Sequence, residues 1–355
     1  MTASVGAFSA PLYIAWEITH RCNAKCLHCY SNSSPESLEE SELTTEEALS
    51  VIDQLSDAGL MVLAFSGGEP LLRKDWERLV HYAVARGLTV NVGTNGSTVT
   101  ETTADTLKST GLRSVTVSID SDKPEAHNHF RQLDGLHPRA LRAVSLLAER
   151  GIRVVVGFTP TKLNWKDGPG VVRLARELGA AAVNLSEYVP AGRGSLDLAL
   201  SPQDLQSVLR EWIEMREHYK GQIDIIWHDC RVGLLVADSE RRKYVGCGAG
   251  RLVARILPDG TVTPCVFLST PIGNFRASTF QQMWSLSSQL RLFRERQGHI
   301  SGNCGDCEHL LTCGGCRAVA FAYSKGDALA GDPHCWIKQS DSGLNRLPEG
   351  EALPF

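Results

Sequence analysis

The chain has 355 residues, 43% of them hydrophobic and 21% charged, with a formal net charge of −4. That length can bury a large core, either as one α/β barrel or as two domains, and the composition is that of an ordinary globular protein. The charge balance provides no global basic field for nucleic acid or an anionic membrane, and no apolar run approaches the ~20 residues that span a bilayer.

Residues 1–11 lack the basic region and apolar stretch of a secretory signal, so a cytoplasmic location is expected, where thiols stay reduced. The chain carries 11 cysteines: Cys22, Cys26, Cys29, Cys230, Cys247, Cys265, Cys304, Cys307, Cys313, Cys316 and Cys335. An odd count cannot be fully paired. Clustering at the two ends of a reduced chain favours metal or iron–sulfur ligation over a disulfide framework.

Strand and helix signals alternate from residue 12 to about 218. Leu12 to Ile18 reads as a buried strand that delivers Cys22-x3-Cys26-x2-Cys29 at its C-terminal end. Thr44-Thr45-Glu46-Glu47 is a capping box that opens a helix to about Ala58. Further strands are expected over Met61–Phe65, Leu88–Val92, Ser114–Ile119, Arg153–Phe158 and Ala182–Ser186. Helices fit Asp75–Arg86, Glu101–Ser109, Pro138–Arg150, Val171–Leu178 and Pro202–Tyr219. Gly59, Gly87, Gly111, Gly151 and Gly179 stand where left-handed C-caps are expected. Six βα units imply a parallel sheet with helices outside it, with functional loops after the strands' C-terminal ends. Six fall short of a closed eight-stranded barrel, so an open partial barrel is expected.

The pattern changes after about Lys220 to short strands, turns and cysteines, with a hairpin turn at Leu257–Val262. A second, smaller domain is expected over 220–338, after a first over 12–219. An irregular tail is expected over 339–355.

Three cysteines spaced as Cys22, Cys26 and Cys29 can converge on one centre. Three thiolates on a four-iron cluster leave one iron open to a small molecule. A zinc site or unrelated buried thiols is the alternative, though zinc sites usually show paired knuckles and four ligands. CxxxCxxC at the end of a first β-strand resembles the radical S-adenosylmethionine (SAM) superfamily, with His28 as the aromatic-type residue before the last cysteine. Further segments carry the same resemblance. Ser66-Gly67-Gly68-Glu69-Pro70 follows the second strand and resembles the GGE motif. Thr94-Asn95-Gly96 ends the third strand and Ser118-Ile119-Asp120 the fourth. His127-Asn128-His129-Phe130-Arg131 resembles HDxxR, and Val189–Gly194 resembles a PxGRG segment whose function the sequence leaves open. Ser121 and Asn128 depart from the usual glycine and aspartate.

The resemblance implies a partial (β/α)6 TIM-like barrel that binds SAM on a [4Fe-4S] cluster held by Cys22, Cys26 and Cys29. It gives Glu69, with Gly67 and Gly68, the SAM amino group. Ser118 and Arg131 would hold the ribose and carboxylate, and Asn95 lies in the same binding set. A solvated surface charge is the alternative reading of Arg131. One-electron reduction of SAM would yield methionine and a 5′-deoxyadenosyl radical that takes a hydrogen atom from substrate.

Cys247, Gly260 and Cys265, then Cys304-x2-Cys307-x5-Cys313-x2-Cys316 and Cys335, resemble the SPASM domain, which carries auxiliary iron–sulfur clusters. The usual three residues between the fifth and sixth cysteines are two here, Gly314 and Gly315. By this resemblance Cys304, Cys307, Cys313 and Cys335 hold one auxiliary cluster, and Cys247, Cys265 and Cys316 the other. Zinc ribbons are the rival reading. Cys230 is either the fourth ligand of the second set or a free buried thiol. Two auxiliary clusters suit a net two-electron oxidation. No catalytic base is singled out among Asp229, His228 and Glu187. An external electron donor such as flavodoxin or ferredoxin is implied.

Substrates of three kinds remain open. The first, and the one the resemblance makes the expected substrate with the other two as alternatives, is a ribosomally made peptide, presented by a separate peptide-binding protein as in mycofactocin-type maturases. The second is a small metabolite such as an aminocyclitol or sugar. The third is a tetrapyrrole of the alternative haem or haem d1 routes, which Cys313–Ala318 and Gly331–Cys335 resemble.

Overall fold

A computed structural model of the protein describes residues 8–38, 41–241 and 243–337. The expected tail, 339–355, and Lys338 at the expected domain end lie outside the described residues. Seven parallel strands follow in chain order: β1 (Tyr13–Glu17), β2 (Val62–Ser66), β3 (Thr89–Thr94), β4 (Ser114–Ser118), β5 (Arg153–Phe158), β6 (Ala182–Leu185) and β7 (Asp224–Trp227). The helices between them are α1 (Thr45–Asp57), α2 (Trp76–Ala85), α3 (Glu101–Ser109), α4 (Pro124–Arg131), α5 (Leu136–Glu149), α6 (Gly168–Glu177) and α7 (Pro202–His218). The Thr44–Glu47 capping box forms, with both reciprocal hydrogen bonds present. All five expected C-cap glycines have positive φ.

The sheet is larger than the six strands expected. β8 (Val253–Ile256) lies parallel beside β1, and β9 (Thr261–Thr263) and β10 (Gly273–Asn274) continue antiparallel from it. The order is β10-β9-β8-β1-β2-β3-β4-β5-β6-β7. The segment after residue 220 therefore extends the same sheet at both edges. The hairpin turn expected at Leu257–Val262 joins β8 to β9, with Leu257 N–H donating to Thr261 O at 2.8 Å.

Strand alternation puts two kinds of side chain on the two faces of the sheet. One face carries the bulk: Trp16, Phe65, Val92, Val117, Val156 and Val183, all buried in one continuous core with Val51, Leu147 and Trp212 of the helices. The opposite face is small or polar, with Ala15 and Glu17 on β1, Ala64 and Ser66 on β2, Asn91 and Gly93 on β3, Thr116 and Ser118 on β4, Gly157 on β5 and Asn184 on β6. Ala254, Ile256, Val262, Phe280 and Trp284 belong to the same core, so the C-terminal segment is packed onto the sheet. No helix among the described residues is long and apolar enough to cross a membrane.

Candidate active site and auxiliary metal sites

The loop bearing Cys22, Cys26 and Cys29 leaves the C-terminal end of β1 and is held from three sides. From β2, Gly68 N–H donates to Thr19 O and Glu69 N–H to Arg21 O, each at 2.8 Å. A Cβ at Gly67 would overlap Thr19 O, and one at Gly68 would overlap Arg21 O. The close approach that requires these glycines is thus to the backbone feeding the cysteine loop. From α4, Phe130 O accepts Leu27 N–H at 3.0 Å, and the Phe130 ring stacks on His28 with centroids 4.3 Å apart. Burial holds the His28 imidazole neutral, at a pKa of about 3. From the loop after β6, Arg193 contacts the backbone of residues 26, 29 and 33.

Glu69 is fully buried. Its carboxylate accepts from Thr94 Oγ1 and Asn95 N–H, both at 2.8 Å, and from Leu71 N–H at 3.4 Å. Burial outweighs these donors and pushes its pKa up to about 7. Asn95 Nδ2 donates to Asn23 Oδ1 at 2.9 Å and reaches Cys22 Sγ at 4.0 Å. The structure therefore brings Glu69, Asn95 and Cys22 together.

Arg131 is not a solvated charge. Its side chain is 11% exposed, its Nε donates to the buried Asp120 at 2.6 Å, and its Nη1 reaches Cys26 Sγ at 3.8 Å. Asp120 also accepts Thr159 N–H at 3.1 Å. The half-buried Ser118 ends β4 on the small, polar face. Both motif departures have local partners. Ser121 Oγ donates to Asp167 at 2.6 Å, and Asn128 Oδ1 accepts His137 N–H at 2.8 Å near the start of α5.

The distal cysteines gather around a second centre, with Cys230 just past the C-terminal end of β7. Cys304, Cys307, Cys313 and Cys335 all line one small pocket, with Gly314, Gly315 and Asp332. This is the set expected for one auxiliary cluster. The loop shortened to Gly314-Gly315 takes left-handed φ values of 68° and 65° in succession. A hydrogen bond from the Cys230 thiol to Cys313, together with burial, pushes the Cys230 thiol up, and the same bond draws the Cys313 thiol down against its burial. Cys247 and Cys316 lie within electrostatic reach of Cys230, and Cys247 of Cys265. Cys230 thus lies among the distal cysteines, with Cys313, a member of the first expected set, as its nearest interaction. Among the described residues, no three His, Cys, Asp or Glu side chains converge tightly enough to hold a single ion.

Sequence reasoning missed how this region is held. Arg231, only 1% exposed, pairs with Glu187, with Asp229 at 2.9 Å and with Asp332 at 3.5 Å. Asp332 accepts the N–H of Cys316 at 2.7 Å and of His334 at 2.8 Å, while its own N–H donates to Cys304 Sγ at 3.3 Å. His334 Nε2 lies 3.0 Å from Tyr323 OH. Burial pushes Glu187 up to about 8. No local motif could have joined residues 187, 231 and 332, because the fold alone makes them neighbours.

A three-cysteine loop at the end of a parallel sheet, backed by a buried carboxylate and followed by a second cysteine set, is an arrangement suited to holding iron–sulfur clusters. The radical SAM superfamily model matches residues 16–175 and the SPASM iron–sulfur cluster-binding domain model residues 247–308. The AdoMet-dependent heme synthase of Methanosarcina barkeri is 33% identical over 92% of this chain and 97% of its own length. Mycofactocin maturase MftC of Mycobacterium tuberculosis is 33% identical over 95% and 86%. The crystal structure of Streptococcus suis SuiB bound to S-adenosylmethionine shares the fold, with a TM-score of 0.76 at 16% identity over 93% of this chain and 78% of that one. The chain belongs to the radical SAM superfamily and carries a SPASM domain, so it is an enzyme with a SAM-binding [4Fe-4S] cluster and auxiliary iron–sulfur clusters.

Proposed function

We propose that the chain performs a two-electron oxidation of a tetrapyrrole side chain. A reduced four-iron cluster on Cys22, Cys26 and Cys29 would supply the one electron that cleaves bound SAM to methionine and a 5′-deoxyadenosyl radical, and that radical would take one hydrogen atom from the substrate, giving 5′-deoxyadenosine. Oxidation is complete when the substrate radical also gives up an electron and, for desaturation, a proton. The auxiliary clusters are the route for that electron, and a separate donor such as flavodoxin or ferredoxin supplies the first one.

Each residue's task follows from its place. Cys22, Cys26 and Cys29 supply three thiolates and leave one iron for SAM. Glu69, with Gly67 and Gly68 fixing its loop, takes the ammonium group. Arg131, steadied by Asp120, offers its fork to the carboxylate, and Ser118 and Asn95 flank them. The small, polar sheet face leaves room for the cosubstrate where bulky side chains would fill it. Cys304, Cys307, Cys313 and Cys335 hold one auxiliary cluster, and Cys247, Cys265, Cys316 and Cys230 the other. The division at residue 220 separates these two chemistries, although the sheet runs through both.

The oxidation is carried by one observation. The buried Glu187–Arg231–Asp332 chain joins the loop after β6 to the backbone N–H of Cys316. The loop after the C-terminal end of β6 is thereby tied to Cys316, which supports an electron path from that sheet end to the distal cysteines. The tetrapyrrole reading rests on relatives that match nearly end to end, including the heme synthase and the Fe-coproporphyrin III synthase of Methanosarcina barkeri. MftC favours the second reading, a peptide presented by a separate binding protein. To test the choice, the anaerobic reduced enzyme with SAM is given Fe-coproporphyrin III or a candidate precursor peptide, and product mass is followed. A two-electron mass loss or decarboxylation of the porphyrin is expected. An untouched porphyrin beside a modified peptide would replace the first reading with the second.

A further inference from the structure

The segment Val189–Gly194, whose function the sequence left open, grips the cysteine loop through one residue. Arg193 makes four hydrogen bonds to it. Its backbone N–H donates to Cys29 O at 2.9 Å and its Nε to Cys26 O at 2.9 Å. Its Nη1 donates to Asn32 Oδ1 at 3.1 Å and its Nη2 to Ser33 O at 2.8 Å. Two of these bonds end on the carbonyls of cluster-binding cysteines. Preceding Arg193, Gly192 has φ 58°, and a Cβ there would collide with the carbonyls of Cys29 and Tyr30. The arginine loop and the cysteine loop are fitted backbone to backbone.

The chemistry of the contact is specific to arginine. A planar fork can serve two carbonyls and an amide together, which a lysine ammonium at one point cannot. All four partners are neutral groups. Arg131 differs, because Asp120 neutralises it at 2.6 Å. The other end of the same loop is anchored at Glu187, through its ion pair with Arg231.

We propose that Arg193 is the positioning residue of the three-cysteine loop, and that its charge, paired with no acid at this contact among the described residues, favours the reduced form of the cluster that would be held there. A cation near an iron–sulfur centre stabilises added negative charge, and net charge and hydrogen bonding are the protein's means of setting its potential. Arg193 acts on the cluster through the cysteine loop, without touching substrate. The proposal rests on the cluster assignment for Cys22, Cys26 and Cys29.

The test uses the full chain with all clusters reconstituted, as wild type, R193K and R193Q. Electron paramagnetic resonance (EPR) during a redox titration, with and without SAM, reads each cluster separately. R193Q is expected to bind less iron at the three-thiolate loop and to give a more negative midpoint potential there, with auxiliary signals unchanged. R193K is expected to keep a potential near wild type but to show an altered line shape, because it keeps the charge and loses the fork. If R193Q holds no cluster at that loop while the auxiliary signals persist, positioning is supported and R193K reads the charge. Wild-type loading, line shape and potential in R193Q would overturn the proposal, as would loss of all clusters together, which marks a general folding role. A wild-type chain with no SAM-sensitive signal would overturn the cluster assignment itself, and this proposal with it.

Discussion

The two cysteine regions are held by different physics. The Cys22–Cys29 loop hangs from strand ends and is fixed by backbone hydrogen bonds from β2 and α4 and by the Arg193 guanidinium of the loop after β6, with no buried cluster of acids around it, among the described residues, like that at Arg231. The distal cysteines sit on short elements and turns. Much of their fixing comes from buried charges, with Arg231 among Glu187, Asp229 and Asp332, Arg296 against Cys247 O, and Arg317 against the carbonyls of Ala328 and Ala330. A site on a preformed sheet can exist before its cofactor arrives. A site built from loops around buried charges leans more heavily on the cluster it holds.

This contrast can be broken at several points, beginning with the largest effect. Arg231→Met leaves three acids around a lost cation, and breaking such a buried network costs about 3–5 kcal/mol. Thermal unfolding with cluster spectroscopy is expected to show a much less stable protein with damaged auxiliary sites. Unchanged stability would remove the charge network from the account. Iron removal by an anaerobic chelator is expected to raise hydrogen exchange over 228–337 far more than over β1–β6. Equal protection of the two regions would erase the distinction.

The third effect is of middle size. Glu69→Gln removes the charge that holds the SAM ammonium, a charged hydrogen bond worth about 1.5–3 kcal/mol, so SAM affinity should fall roughly ten- to a hundredfold. Anaerobic calorimetry also reads the pH dependence. With the Glu69 pKa raised to about 7, only the deprotonated form attracts the ammonium, so SAM binding weakens below pH 7 and strengthens above it. Stability has the opposite sign. A carboxyl whose folded pKa is raised favours folding at low pH and loses that contribution as pH climbs from the unfolded value of 4.5 toward 7. SAM binding that is flat with pH would exclude Glu69 as the ammonium partner. Cys230→Ala is expected to change one auxiliary cluster's spectrum and leave the SAM-cluster signal intact, whereas unchanged spectra would make it a bystander thiol. The smallest effect is Thr44→Ala, which removes a helix N-cap on α1 and costs about 1 kcal/mol, seen as a small fall in Tm with SAM affinity unchanged.

The sheet face of this comparison was largely legible in the sequence. Apolar runs such as Val154–Val156, the Thr44–Glu47 capping box and the C-cap glycines are local signals, and each sits where those signals put it. α4 escaped because Pro124-Glu-Ala-His-Asn-His-Phe-Arg131 has no apolar stripe, and its buried residues are only His127 and Phe130. The edge strands escaped for another reason. β7 is four residues long, and the pairing of β8 with β1 joins residues some 240 apart. The residues proposed for the SAM site come from motifs attached to strand ends, and the structure brings Glu69, Asn95 and Cys22 together. The grip of Arg193, the Asp120–Arg131 pair and the Arg231 network join distant parts of the chain, so no window of sequence contains them.

The central claim is that the Cys22–Cys29 loop starts radical chemistry and the distal cysteines carry its electron away. The most direct measurement is anaerobic formation of 5′-deoxyadenosine by the reconstituted, reduced protein with SAM, alongside iron content and a Cys22→Ala/Cys26→Ala/Cys29→Ala variant. The account predicts about 12 irons per wild-type chain, from three four-iron clusters. It predicts deoxyadenosine from wild type only, with about eight irons retained by the variant. Equal deoxyadenosine from both proteins, or about four irons with zinc in the wild type, would contradict it.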